Sequence, residues 1–171
     1  MTEDRWLLFM QQQLAPHGYL LNQIQAFTSF DLEVEHSYIQ WLFPCPEPSK
    51  VNPEAPLLTP IHCEVIQLSK GLRREIGRNL DLMLKHWGIK RTGTKMEKGD
   101  NFEEGSRYWC TPIDHNHLRI TRVLTFLTLT GFSSVAVALY DFLYQELLMA
   151  VLTDIGALAY WTQALRLEPL A

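Results

Sequence analysis

Cysteine is scarce in this sequence, and long apolar runs are absent. The three cysteines among 171 residues are Cys45, Cys63 and Cys110, and no two of them form a Cys-x-x-Cys pair. This spacing argues against a disulfide scaffold and against a cysteine-based zinc site. The longest uncharged stretch, residues 123–140, contains threonine, serine and glycine, which argues against a membrane span. The amino-terminal residues lack the basic flank and apolar run of a signal peptide, so we expect a soluble, cytoplasmic protein with no transmembrane segment.

An overall excess of positive charge is absent as well. The formal net charge is −4, so nucleic acid is an unlikely partner. Residues 70–122 are nevertheless basic, with twelve Lys or Arg against seven acidic residues, whereas the segments on either side are acidic. Hydrophobic residues make up 47% of the chain and charged residues 20%, which is typical of a globular protein. The length predicts a single domain over residues 1–171.

Catalytic fingerprints are missing too. We find no Gly-x-Ser-x-Gly elbow, P-loop or dinucleotide-binding pattern, so we expect a protein that is not an enzyme and holds no cofactor. The alternative is a metal-dependent or other uncharacterised enzyme that uses His36, His115 and His117. Because residues two apart diverge on a helix, His115 and His117 make a poor ligand pair, and we expect no metal.

What the sequence does contain is helical periodicity. We predict an all-α, single-domain bundle of six to seven helices, with no sheet because no segment alternates with period two. The predicted helices are a first one capped by Thr2, others over 19–27 and 31–43, a long one over 59–88, and three more that start near Asn116, Ser134 and Asp154. A proline-rich connection covers residues 45–60, and residues 91–105 are predicted to be a charged loop or lid.

Two strings in this pattern are distinctive. Residues 36–44 (His-Ser-Tyr-Ile-Gln-Trp-Leu-Phe-Pro) and residues 116–124 (Asn-His-Leu-Arg-Ile-Thr-Arg-Val-Leu) resemble the two signature stretches of the conserved domain of the opioid growth factor receptor family. Pro56-Leu-Leu-Thr59, Gly88-Ile89 after Met83-Leu84, and Gly131 before an apolar helix resemble that family in the same order. The resemblance is strongest over residues 19–165.

The resemblance implies a helical binding domain with opioid peptide receptor activity and a peptide or protein ligand. Animal members of the family are described as receptors for an enkephalin-type peptide, associated with the nucleus and perinuclear membranes. The family's long carboxy-terminal repeats and its basic import-like runs do not appear here. We therefore expect a short single-domain form without nuclear import.

The second signature contains the arginines of most interest. Arg119 and Arg122 are three residues apart, and His115 precedes Arg119 by four, so all three share one side of a predicted helix. A buried arginine needs a partner. That partner is an intramolecular carboxylate (Glu33, Glu35 or Asp114) or a ligand anion, which the guanidinium fork suits; simple solvent exposure is the remaining option.

The first signature places polar and aromatic side chains together. His36 and Gln40 form a polar stripe beside Tyr38 and Trp41, a combination that serves either a core or a peptide pocket. We hypothesise that the two signatures pack together around one polar cleft that holds a peptide or a small anion. The predicted ligand-binding residues are His36, Tyr38, Gln40, Trp41, His115, Asn116, Arg119 and Arg122.

The sequence predicts two further surfaces, a basic helix face and a candidate homodimer face. The basic residues of the long helix (Lys70, Arg74, Arg78 and Lys85) are interleaved with Glu75 and Asp81, which indicates a solvated face. The apolar helix that starts near Ser134 and the aromatic pair Tyr160-Trp161 are candidates for a homodimer face.

Overall fold

The computed structural model describes residues 3–170, which divide into two compact units, Met1–Leu82 and Met83–Ala171. Thr2, predicted to cap the first helix, lies outside the described residues. The N-cap is Asp4, whose carboxylate accepts a hydrogen bond from the Leu7 backbone N–H at 3.0 Å. A side-chain acceptor at this position is what the unpaired amides of a helix start require.

The first unit is built from short helices. Their bounds are α1 (Arg5–Met10), α2 (Leu21–Gln25), α3 (Ser29–Val34), α4 (Ile39–Leu42), α5 (Pro60–Leu68) and α6 (Lys70–His86), with a 3-10 turn at Pro16–Gly18; α6 begins in this unit and ends in the second. Pro44 follows the end of α4, and the predicted proline-rich connection separates α4 from α5.

The helix predicted over 59–88 is two helices. Ser69 is extended (φ −105°, ψ 105°), and its hydroxyl accepts from the Leu72 N–H at 3.1 Å, as a helix N-cap does. The predicted apolar stripe divides at the same place, because Ile61 and Leu68 on α5 are exposed whereas Ile76 and later members on α6 are buried. The break therefore separates a buried stripe from a solvent-facing one.

The helix predicted over 31–43 is also divided. Thr28 and Asp31 form a capping box that starts α3, and the helix ends at Glu35, which is extended (φ −83°, ψ 134°). His36 consequently lies in the link before α4, and it does not share a helix with Gln40 as the sequence analysis supposed.

The second unit combines helices with a small hairpin. Its elements are β1 (Ile89–Thr92), β2 (Lys95–Lys98), α7 (Phe102–Gly105), a 3-10 turn at Ser106–Tyr108, α8 (Asn116–Leu129), α9 (Ser133–Met149) and α10 (Ala157–Leu165). Gly131 ends α8 with φ +90°, as predicted.

The hairpin corrects the prediction that the chain has no sheet. β1 and β2 pair antiparallel, with Ile89 opposite Lys98 and Thr92 opposite Lys95. Gly93 begins the two-residue turn with φ +62°, which fits a type II′ turn. The hairpin and α7 occupy the segment predicted to be a charged loop. Strands of four residues are too short to show an alternation of apolar and polar residues. The Gly93-Thr94 pair was the remaining sequence feature that could have predicted the hairpin.

The fold is therefore mostly helical, as predicted, but it has ten α-helices within residues 3–170 where six or seven were expected. The excess arises because breaks at Ser69 and Glu35 each divide a predicted helix, and because α7 forms in the predicted loop. No helix within the described residues is both long and apolar enough to cross a membrane.

Candidate functional site

The first signature surrounds α4 and is mostly buried. Tyr38 is 3% exposed, and its hydroxyl donates to the Leu32 carbonyl at 2.8 Å, which ties the start of α4 to α3. His36 is exposed. Of the predicted residues in this signature, Tyr38, Gln40 and Trp41 thus lie in the interior and His36 faces solvent.

Two polar side-chain atoms on consecutive residues of this signature lack hydrogen-bond partners. Among residues 3–170, nothing pairs with the Oε1 of Gln40 or with the indole Nε1 of Trp41, although both atoms are buried. An unpaired buried donor or acceptor costs about 1–3 kcal/mol. Gln40 and Trp41 therefore place one unsatisfied acceptor and one unsatisfied donor at consecutive positions.

The backbone carbonyl and the ring of Trp41 do make contacts. Its carbonyl accepts from the Trp6 indole N–H at 3.0 Å, and the Phe9 ring meets its ring edge-on with centroids 5.5 Å apart. The guanidinium carbon of Arg5 lies 5.4 Å from the Trp41 ring centroid, and Arg5 itself is exposed. Arg5 therefore covers one part of the Trp41 ring while remaining in contact with solvent. Sequence reasoning missed Arg5 because it lies 36 positions before Trp41 in the chain.

A second polar group missed by sequence reasoning joins α1 to α5. The Thr59 backbone N–H donates to His62 Nδ1 at 3.1 Å, so Nε2 carries the proton and donates to Asp4 Oδ2 at 2.7 Å. Burial raises the pKa of the Asp4 carboxyl, but hydrogen bonds from Leu7 and His62 outweigh it, and the pKa is lowered overall. The Thr59 hydroxyl accepts from the His62 backbone N–H at 3.4 Å and lies 3.2 Å from His62 Nδ1, so this group forms the capping box of α5.

The second signature begins with a buried asparagine. Asn116 is fully buried, and its Oδ1 accepts from the Trp87 indole N–H at 3.0 Å. Its backbone N–H and side-chain amide both donate to Asp114 Oδ1, at 2.8 and 3.0 Å. Asp114 thereby binds the first backbone N–H of α8 from the position before the N-cap residue His115, and Asn116 links Asp114 to the core of the second unit.

His117 continues the same network. Its Nε2 lies 2.7 Å from the Trp109 carbonyl, which can only accept, so Nε2 is the donor. The His117 carbonyl accepts from the Trp161 indole at 3.1 Å, and the Trp109 indole donates to the Trp87 carbonyl at 2.9 Å. Three buried indoles therefore have their N–H groups satisfied around the start of α8. Trp161, one of the two aromatic residues in the predicted homodimer face, belongs to this interior.

The charged members of the second signature differ in burial. Arg119 is 5% exposed, Arg122 is half-buried and His115 is exposed. His115 Nδ1 lies 3.6 Å from Asp114 Oδ1. Arg119 is thus the buried cation that the sequence analysis anticipated.

The two signatures lie in different compact units, so the shared cleft stays a prediction. Within the described residues, no group of three or more His, Cys, Asp or Glu side chains is arranged to hold a metal ion.

The family model and the curated relatives that match this chain name the same family. The family model for the opioid growth factor receptor (OGFr) conserved region matches residues 6–169. The opioid growth factor receptor of Mus musculus is 36% identical over 140 residues, covering 78% of this chain and 22% of the mouse protein. The Homo sapiens receptor is 36% identical over 143 residues, with coverages of 78% and 20%. Opioid growth factor receptor-like protein 1 of Mus musculus is 36% identical over 121 residues, with coverages of 69% and 25%.

The chain thus spans about a fifth to a quarter of the length of these curated relatives. No solved structure matches it.

Proposed function

This chain belongs to the opioid growth factor receptor family, and we propose that it is a non-enzymatic peptide-binding domain whose ligand contacts Gln40 and Trp41. The name of the relatives makes an opioid growth factor the ligand class to test. The proposed location rests on one observation, which is that the Trp41 indole N–H and the Gln40 side-chain oxygen are buried without hydrogen-bond partners.

A peptide group complements this pair of atoms. Its carbonyl accepts from the Trp41 indole N–H, and its own N–H donates to Gln40 Oε1. Each bond formed would recover part of the free energy that the unpaired atom costs, about 1–3 kcal/mol. Packed aromatic groups around Trp41, such as Phe9, also suit a ligand that carries aromatic rings.

Arg5 supplies a positive charge that can pair with the terminal carboxylate of a short peptide. Its exposed guanidinium covers part of the Trp41 ring, and the flexible side chain can turn outward to pair with a carboxylate in the two-pronged manner that arginine favours. We expect an enkephalin-type peptide to present its terminal carboxylate to Arg5 and its backbone to Gln40 and Trp41.

The test is calorimetric titration of an enkephalin-type pentapeptide into the wild-type chain and into Trp41→Phe and Gln40→Met. Gln40→Met keeps the length of the side chain and removes the unpaired oxygen, whereas Trp41→Phe also leaves a small cavity, so a thermal melt of each variant accompanies the titration to show that it is folded. We expect the peptide to bind about tenfold more weakly, a loss of about 1.4 kcal/mol. Unchanged affinity in both variants, or no binding to the wild type, would overturn the proposed site.

Trp161→Phe is the matched control. Its indole N–H is already bonded to the His117 carbonyl, so this variant should lose stability and keep its peptide affinity. Arg119→Met and Arg122→Met test the other signature by the same titration. Weaker binding in these variants alone would move the peptide contact to α8.

The enzyme alternative is tested by metal analysis of the purified protein. His117 Nε2 is engaged by the Trp109 carbonyl, which leaves that nitrogen poorly placed as a ligand. A stoichiometric metal that His36→Ala or His115→Ala releases would overturn the non-enzymatic proposal.

A further inference from the structure

The end of α9 carries an exposed apolar group in an unfavourable backbone conformation. Leu148, Met149 and Val151, together called the α9 knob, are 47%, 75% and 82% exposed. Val151 has φ +58°, and the Leu152 N–H reaches back to the Leu147 carbonyl at 2.9 Å. This is a Schellman turn, in which glycine ordinarily occupies the position that Val151 holds. A β-branched residue with positive φ is a genuine outlier.

In the same unit, the equivalent turn at the end of α8 has glycine at this position. α8 ends with Gly131 at φ +90°, and the Phe132 N–H bonds the Leu127 carbonyl at 2.8 Å in an equivalent turn. Valine at position 151 accepts a steric cost that glycine avoids, and it keeps an apolar side chain in solvent. Neither property benefits the fold of the second unit.

The first unit carries a second exposed apolar group, where α5 meets α6. Ile61 and Leu68 are 67% and 86% exposed and lie seven residues apart, on one side of α5. Lys70 and Arg74 follow on α6 and are also exposed. We call these four residues the α5–α6 corner.

The two surfaces are opposite in charge. Residues 123–165 contain no lysine or arginine, Lys98 of β2 is paired with Glu146 at 3.2 Å, and exposed Asp154 follows the knob by three positions. Residues 70–74 contain three basic residues and no acidic one. Glu64 is exposed on α5, so the positive charge of the corner is confined to its α6 side. Apolar groups and opposite charges are therefore available on two surfaces of one chain.

The geometry points to self-association in which the α9 knob of one copy docks on the α5–α6 corner of a second copy. Val151 and Met149 cover Leu68 in this contact, and Asp154 approaches Lys70 and Arg74. Contacts between two different surfaces form a closed ring or an open chain of copies, and both raise the average mass in solution. This inference does not depend on peptide binding.

Sedimentation velocity of the full chain, from low micromolar to several hundred micromolar, measures that mass. We expect Leu68→Ser and Val151→Gly each to weaken association about tenfold or more, since each removes an apolar group at the centre of the contact. Val151→Gly should also raise the melting temperature, because glycine adopts positive φ without strain. That rise separates lost association from misfolding. Ile113→Ser, which alters an 89% exposed residue outside both surfaces, should change neither property.

A charge exchange completes the test. Arg74→Glu and Asp154→Arg should each weaken association, and the double variant should restore it toward the wild-type value. A chain that stays monomeric over the whole concentration range would overturn the proposal. A mass increase that these variants leave unchanged, or that the double exchange does not restore, would overturn it equally.

Discussion

Gly105 lies against the backbone of Gly88 so closely that a β-carbon at position 105 would sit 2.5 Å from the Gly88 Cα. Gly88 ends α6 with φ +78°, and its carbonyl accepts from the Gly99 N–H at 2.8 Å. The Asn101 side-chain amide donates to the Lys85 carbonyl at 2.7 Å, which satisfies another group at that helix end. The hairpin and α7 thus close over the end of α6 only because two backbones meet without side chains.

Gly105→Ala should therefore destabilise the protein by about 3 kcal/mol or more, because the atoms in conflict are backbone atoms that cannot turn aside. Urea denaturation followed by circular dichroism measures the change in the free energy of unfolding. Gly71→Ala is the control, since it adds a β-carbon in the exposed first turn of α6 with no neighbour closer than 3.9 Å. We expect it to stabilise by about 0.5–1 kcal/mol. Equal effects of the two substitutions would contradict this account.

Asn116→Leu should cost about 2–3 kcal/mol of unfolding free energy. The substitution leaves the Trp87 indole N–H without its acceptor and removes the side-chain hydrogen bond to Asp114. Adding Trp87→Phe removes the unsatisfied donor, so the double variant should be less destabilised than the sum of the two single variants. Leu118→Ser, two positions away and exposed, is expected to fall within about 0.5 kcal/mol of the wild type. Additive effects would show that Trp87 and Asn116 are not coupled.

Asp4→Asn should lower stability in a pH-dependent way. The folded pKa of Asp4 is depressed, so its contribution is complete above the ordinary value near 3.8 and is lost as the pH falls below that value. Because asparagine is also a good N-cap, the loss at neutral pH is confined to the charge of Asp4 and should be about 0.5 kcal/mol in this exposed position, with convergence toward the wild type in acid. Thermal melts of both proteins between neutral pH and pH ~3 provide the comparison. A difference that persists unchanged into acid would refute the role of the charge.

Cys63 and Cys110 should react slowly with thiol reagents at neutral pH. Burial raises the pKa of both thiols, and the nearby Glu146 carboxylate adds to the effect at Cys110, so little thiolate is present. Modification by an alkylating reagent, followed by peptide mass spectrometry, should accelerate as the pH rises and on unfolding in urea. Rapid labelling of either residue in the folded protein at neutral pH would be inconsistent with this environment.

The elements that sequence reasoning predicted correctly are those with strong local signals. Gly131 follows the apolar run of α8 and ends that helix with a positive φ. The break at Ser69 was missed because the apolar spacing is the same for one helix as for two in succession. Nothing in that spacing states that Leu68 faces solvent while Ile76 is buried.

The candidate site was predictable in its residue types but not in its environment. Tyr38, Gln40 and Trp41 were chosen as polar and aromatic neighbours, and all three are buried. Whether the Gln40 oxygen finds a donor depends on side chains distant in sequence, which periodicity does not report. Arg5 was missed for the same reason, since its contact with Trp41 is made only in the folded chain.

All five tryptophans are less than 2% exposed, and they are shared between the two units, with Trp6 and Trp41 in the first and Trp87, Trp109 and Trp161 in the second. Intrinsic emission should consequently be blue in the native state and shift red on denaturation. Replacing the tryptophans of one unit by phenylalanine would leave emission from the other unit alone. The fluorescence melts would then show whether the two units unfold in one step or in two.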